Sequence, residues 1–148
     1  MKTHDLSEQD LAFRAAFETF VIEPAGFDHR AHVRLAYAYL AGSEVEQAFQ
    51  DMRGSLLAFL THNNVPASKF HETLTRAWIL AVHHFMDKSS TSSFDNFIGR
   101  NPVLLDSRIM LTHYSAGLLF SENARGQFVE PDLEAIPKSR TQEQRAAT

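Results

Sequence analysis

The sequence predicts an all-α fold, a compact bundle of about five principal helices with an irregular C-terminal segment. Three observations carry this. Apolar residues recur with a period near 3.6 along each long segment. Ser, Asp or Gly stands at segment ends, where caps and stops belong. No alternating apolar and polar run, the mark of a half-buried strand, lasts more than a few residues.

Ser7 opens the first helix, with Asp10 as its capping-box partner. Leu11, Phe13, Ala16, Phe17, Phe20 and Val21 follow at helical spacing, and Pro24-Ala25-Gly26 ends the element. Asp28 caps a second helix over about 28–41, stopped by Gly42. Ser43-Glu44-Val45-Glu46 reads as a capping box for a third helix to about His62. Its stripe of Val45, Ala48, Phe49, Met52, Leu56, Phe59 and Leu60 makes it the clearest helix in the chain. Asn63 to Ala67 is a short loop, and Ser68 caps a fourth helix to about Met86. The serine-rich run from Lys88 to Ser93 is a linker. Phe94 to Ile98 forms one or two helical turns before Gly99 and Pro102. Asp106 or Ser107 caps a last long helix to about Phe120, with Ile109, Met110, His113, Tyr114, Gly117 and Leu118 along one side. A short turn and irregular chain over Phe128 to Leu133 complete the domain. Phe49, Met52, Leu56, Trp78 and Val82 are expected in the core.

Composition narrows the classes of function. At 148 residues, one domain is expected, over 6–137, since domains commonly run ~100–150 residues. From Lys138 onward the polar chain reads as a disordered tail. A net charge of −4 argues against nucleic-acid binding, which needs a basic face to neutralise phosphates. The second and third helices superficially form a DNA-binding hairpin, but Glu44, Glu46 and Asp51 against a single Arg53 would repel phosphate. Cysteine is absent, which removes thiolate nucleophiles and Cys-type zinc sites and fits a cytoplasmic location. No apolar stretch approaches the ~20 residues needed to span a bilayer, so no membrane association is expected. There is no glycine-rich phosphate loop, Gly-x-Ser-x-Gly elbow or His-Glu-x-x-His helix.

Two histidine signatures remain, Phe27-Asp28-His29-Arg30-Ala31-His32 and Phe70-His71-Glu72-Thr73-Leu74-Thr75. Each falls at a helix start. Short loops force antiparallel neighbours, so helices 2 and 4 should run parallel with both N-termini at one end. His29 and His32, three apart, have Cβ atoms ~5–6 Å apart. With His71 they are candidate ligands of one divalent transition metal, leaving an open position for water. Zinc, nickel, iron and copper all suit imidazole and are not distinguished. Glu72 is the candidate base acting on bound water, or else an outer partner of the ligands or a fourth ligand after local distortion, and Thr73 and Thr75 could hydrogen-bond in the same shell. A metal-dependent hydrolase or hydratase acting on a small molecule is the first reading. The alternative is a metal-free small-molecule-binding module, with Thr75 lining the pocket and Arg125 meeting an anionic group. A third is a helical interaction protein with structural histidines, in which exposed phenylalanines would mark a homo-oligomer or partner surface. His113 reads as structural, and His83-His84 as a solvated outer face.

The two signatures, with Tyr114-Ser115, Ala124-Arg125 and Phe128 to Leu133, resemble those of an uncharacterised family of small bacterial all-α proteins. The resemblance covers about 27–137 and implies a compact helical protein, with no activity attached. His71-Glu72 is also similar to the His-Asp pair of HD-type phosphohydrolases. Glu72 replaces the aspartate, and Asp106 is only a loose candidate for the final ligand, so that activity is not carried over.

Overall fold

Ser7 and Asp10 start α1 (Glu8–Glu18) by a reciprocal cap: the Ser7 hydroxyl accepts from the Asp10 amide, and the Asp10 carboxylate accepts from the Ser7 amide. The structure is a computed structural model and describes residues 2–137; the expected tail from Lys138 lies outside the described residues. α1 stops earlier than its apolar pattern suggested. Phe20 turns into the left-handed region at φ 65°, where its ring stacks on His62 at 4.3 Å, and Val21 is exposed.

α2 (His29–Ala41) begins at Asp28, whose side chain accepts from the Ala31 amide, and ends at Gly42. α3 (Val45–His62) has Glu44 as its N-cap, with no side-chain cap bond. The expected Ser43–Glu46 box is not made, because the Glu46 carboxylate is taken by Arg76 and Gln50. α4 (Glu72–Met86) is not capped by Ser68 either. Pro66 starts a single 3-10 turn over Ala67–Lys69, Phe70 continues in extended backbone and is buried, and His71 becomes the cap, accepting from the Leu74 amide. α5 (Phe94–Arg100) starts at Ser93.

The last long helix does not form. In its place stand 3-10 turns at Pro102–Leu105 and Ser107–Thr112, then α6 (Ala116–Leu119) and α7 (Glu122–Gly126). Two serines break the run. Ser115 caps α6 through the Leu118 amide while its own amide and hydroxyl donate to Asp132, and Ser121 caps α7 through the Ala124 amide. Such side chains offer the backbone an alternative to continuing a helix. The apolar side of the segment is still used, since Met110, Tyr114 and Leu119 are buried. Chain 128–136 is strapped across it by Tyr114 to the Val129 carbonyl, His113 to the Glu134 carbonyl and the Leu133 amide to the His113 carbonyl.

Side-chain pairs fix the helix directions. Phe27 meets Phe59 and Tyr39 meets Ser55, so α2 and α3 are antiparallel. Glu46 meets Arg76 and Arg53 meets Glu72, so α3 and α4 are antiparallel. α2 and α4 therefore run the same way, as the loop lengths require. Phe49, Met52, Leu56, Trp78 and Val82 are all buried, within a core that also takes in Phe17, Tyr37, Ile79 and Phe97. Among the described residues there is no strand, only an isolated bridge between His4 and Thr91, and no helix long and apolar enough to cross a membrane.

Candidate functional site

The histidine signatures are placed at helix starts as expected, but the His29 and His71 imidazoles are engaged with backbone and His32 packs on an aromatic ring. His29 is the first residue of α2. A carbonyl oxygen only accepts, so His29 Nε2–H donates to the Leu104 carbonyl at 2.9 Å. Its ring lies edge-on to Trp78 at 4.6 Å. His32, one turn on, meets the Phe27 ring at 5.9 Å. Desolvation, with the His29 charge adding to it, pushes the His32 pKa down to about 4. His71 Nε2–H donates to the Leu119 carbonyl at 2.7 Å, and Nδ1 accepts from the Leu74 amide at 3.1 Å. Burial lowers the His71 pKa, and the nearby Arg125 charge lowers it further.

These positions correct the expected convergence of His29, His32 and His71. Parallel helices place both N-termini at one end, but they do not set the axial stagger. The His29 ring packs on Trp78, seven residues beyond His71 in the chain, and bonds the Leu104 carbonyl, whereas the His71 ring bonds the Leu119 carbonyl. Among the described residues no three His, Asp or Glu side chains stand where they could hold one metal ion. Both ring nitrogens of His71 are already used. Glu72 is bound to Arg53, with Oε1 at 2.7 Å from Nε and 2.6 Å from Nη2. Thr75 is buried and donates to the His71 carbonyl. Thr73 donates to the Gln127 carbonyl and accepts from the Val129 amide, so it holds the C-terminal chain against α4. Asp106 is engaged by Arg108.

Two of the sequence candidates do meet. Glu72 and Arg125 line one open cavity of about 730 Å³. One wall is the Ala67–Lys69 turn with Phe70, a second is Arg53 and Leu57 of α3, and the third is Phe120 with Glu122, Arg125 and Gly126 of α7. The Arg53 guanidinium lies over the Phe70 ring at 5.6 Å from its centroid, and the Glu72 bond raises the Arg53 pKa. Arg53 is therefore held on two sides. Lys69 and Arg125 make no ion pair among the described residues. Phe120, 58% exposed, is the least buried aromatic of this wall. His71 stands behind the cavity, tying the Leu119 carbonyl to the start of α4.

Sequence reasoning missed Arg53, Lys69 and Phe120. Phe120 reads as core mass when the last helix is drawn continuous, and Lys69 reads as a helix residue when Ser68 is taken as the cap. Pro66 was the available signal: it can start a short turn whose next side chains leave the helix pattern. A second hollow, about 410 Å³, lies between α1, α2 and α3, lined by Arg14, Glu18, Tyr39, Asp51 and Ser55 among others. There Tyr39 donates to Glu18 and meets Ser55, and burial pushes its hydroxyl pKa up.

No protein-family model, curated protein or solved structure matches this chain.

Proposed function

We propose that this protein is a small-molecule-binding module whose ligand occupies the cavity between the Ala67–Lys69 turn, α3 and α7, with Arg125 meeting an anionic group. One observation carries the reading: Glu72 and Arg125, distant in sequence, share an open cavity of about 730 Å³. That volume lies in the ~300–1,000 Å³ range of small-molecule sites, which combine apolar walls with a few polar groups. Glu72 serves there as the partner that fixes Arg53. The metal-dependent hydrolase reading has less support. It needs His71 Nδ1 to give up the Leu74 amide, Glu72 to leave Arg53, and further ligands beside His71 where, among the described residues, no three metal-binding side chains are grouped.

Thermal melting of the purified chain against a panel of small organic acids, alcohols and amines tests the proposal. Gly126 is the place to block the cavity: it lines the wall, and a Cβ built on it meets nothing within 4 Å. At least one chemical class should raise the melting temperature of the wild type and leave Gly126→Phe unmoved. If no class does so, and the purified protein carries stoichiometric metal that His71→Ala loses, the metal reading replaces this one.

A further inference from the structure

We infer that the ligand is an amphiphilic monoanion, a carboxylate on an apolar body, with its head between Lys69 and Arg125 and its body on Phe120 and Leu57. The inference rests on the binding reading above and adds the class of ligand.

Charge sets the head group. The cavity wall carries three cations, Arg53, Lys69 and Arg125, and two anions, Glu72 and Glu122. Arg53 and Glu72 cancel in a bond of 2.6 Å. A single net positive charge is left, carried by Lys69 and Arg125, neither of which has an ion pair among the described residues. The chain as a whole carries −4, so a cavity of net positive charge runs against its general field. A guanidinium offers a carboxylate two parallel N–H bonds, and an ammonium adds a compact point charge. A dianionic head would instead place its second charge beside Glu122 and Glu72 with nothing left to neutralise it.

The apolar part is set by the walls. Phe120 is 58% exposed, half-buried Leu57 of α3 lines the same cavity, and Phe70 lines it beneath the Arg53 guanidinium. An exposed aromatic beside unpaired cations gives a head and a body different surfaces to rest on. A wholly polar ligand would leave Phe120 in water, and a wholly apolar one would leave Lys69 and Arg125 without partners. The second hollow lacks this division. Its single cation, Arg14, shares the lining with two anions, Glu18 and Asp51, and its tyrosine is already bonded.

Isothermal titration of the full chain at neutral pH and low ionic strength tests this with four probes: octanoate, octan-1-ol, octylamine and octyl phosphate. Octanoate should bind at least about tenfold more tightly than each of the others. Arg125→Gln and Lys69→Gln should each weaken octanoate about tenfold, the scale of a lost charge-assisted bond, and leave octan-1-ol unchanged. Both side chains reach solvent, so these variants should melt as the wild type does. Binding of octan-1-ol or octylamine as tightly as octanoate, blocked by Gly126→Phe, overturns the carboxylate assignment and leaves the binding module standing. Tighter binding of octyl phosphate does the same in favour of a dianion. Failure of all four probes to bind overturns the assignment, and the binding reading falls with it only if the thermal-melting panel also finds no class that Gly126→Phe blocks.

Discussion

A histidine that donates from Nε2 to a carbonyl and accepts at Nδ1 from an amide has no lone pair left to offer. His71 is in that state, and its work is mechanical: it caps α4 and holds the last carbonyl of α6. His71→Ala should therefore cost about 1–3 kcal/mol in urea unfolding, a lost cap plus a lost buried bond. His71→Asn keeps a good N-cap residue and should recover part of that loss. Equal stability of all three proteins would show that these bonds contribute nothing net. At this scale the sequence was informative about residue type and poor about partners. That His29 and His71 each begin a helix follows from Asp28, Phe70 and the apolar periods around them. That each ring reaches a carbonyl of the C-terminal segment depends on how chain 75 and 48 residues away is folded, and no local pattern encodes it. Glu72 and Arg125 were legible as polar candidates, but only packing brings them to one cavity.

At the scale of elements, the long helices were legible because each carries its own period and its own punctuation. α3 is the clearest case, with Phe49, Met52 and Leu56 all buried at the spacing that suggested them. Leu56→Ala should cost ~2–5 kcal/mol, since a cavity is added to the lost transfer energy; a change below about 1 kcal/mol in urea unfolding would mean that the site collapses freely. The last helix was illegible for the opposite reason. Its apolar spacing persists, yet Ser115 finds Asp132 and Ser121 finds the Ala124 amide, and these side-chain bonds outweigh continuation. Asp10 joins elements in a way that the capping box alone did not suggest. Besides closing the cap on Ser7, it accepts from the Phe94 amide at the start of α5 and from the Arg34 guanidinium of α2. The carboxyl is almost fully buried. Asp10→Ala leaves Arg34 and the Phe94 amide without their acceptor and should cost about 3 kcal/mol, because breaking a buried pair strands the remaining charge. Arg34→Ala measured beside it, and the double variant, would give the coupling; additive losses would sink the idea of a linked junction.

For the whole molecule, the same histidines make stability depend on acidity. Burial lowers the pKa of His4, His32, His71 and His84, for His32 to about 4. In the unfolded chain each returns to ~6.5. Below that value the unfolded state binds protons that the folded state refuses, so the stability gained from neutral imidazoles is complete above ~6.5 and is lost as the pH falls toward the folded values. The carboxylates behave differently. Asp10 is held low by the Phe94 and Ser7 amides and Arg34, against the cost of burial, and Glu46 is held low by Arg76. Their contributions persist until the pH drops below about 4, the ordinary carboxylate range. The window between ~6.5 and about 4 therefore belongs to the histidines. His32 alone contributes up to about 3 kcal/mol across it, at roughly 1.4 kcal/mol per pH unit, an upper figure because the residue is only half-buried by surface. Urea unfolding measured at intervals through this window should show a steady fall for the wild type and a shallower one for His32→Gln, which cannot take up the proton. Comparing slopes separates this effect from any constant loss of packing in the variant. Parallel profiles for the two proteins would place the acid sensitivity elsewhere, in His4, His71 and His84, and remove His32 from the account.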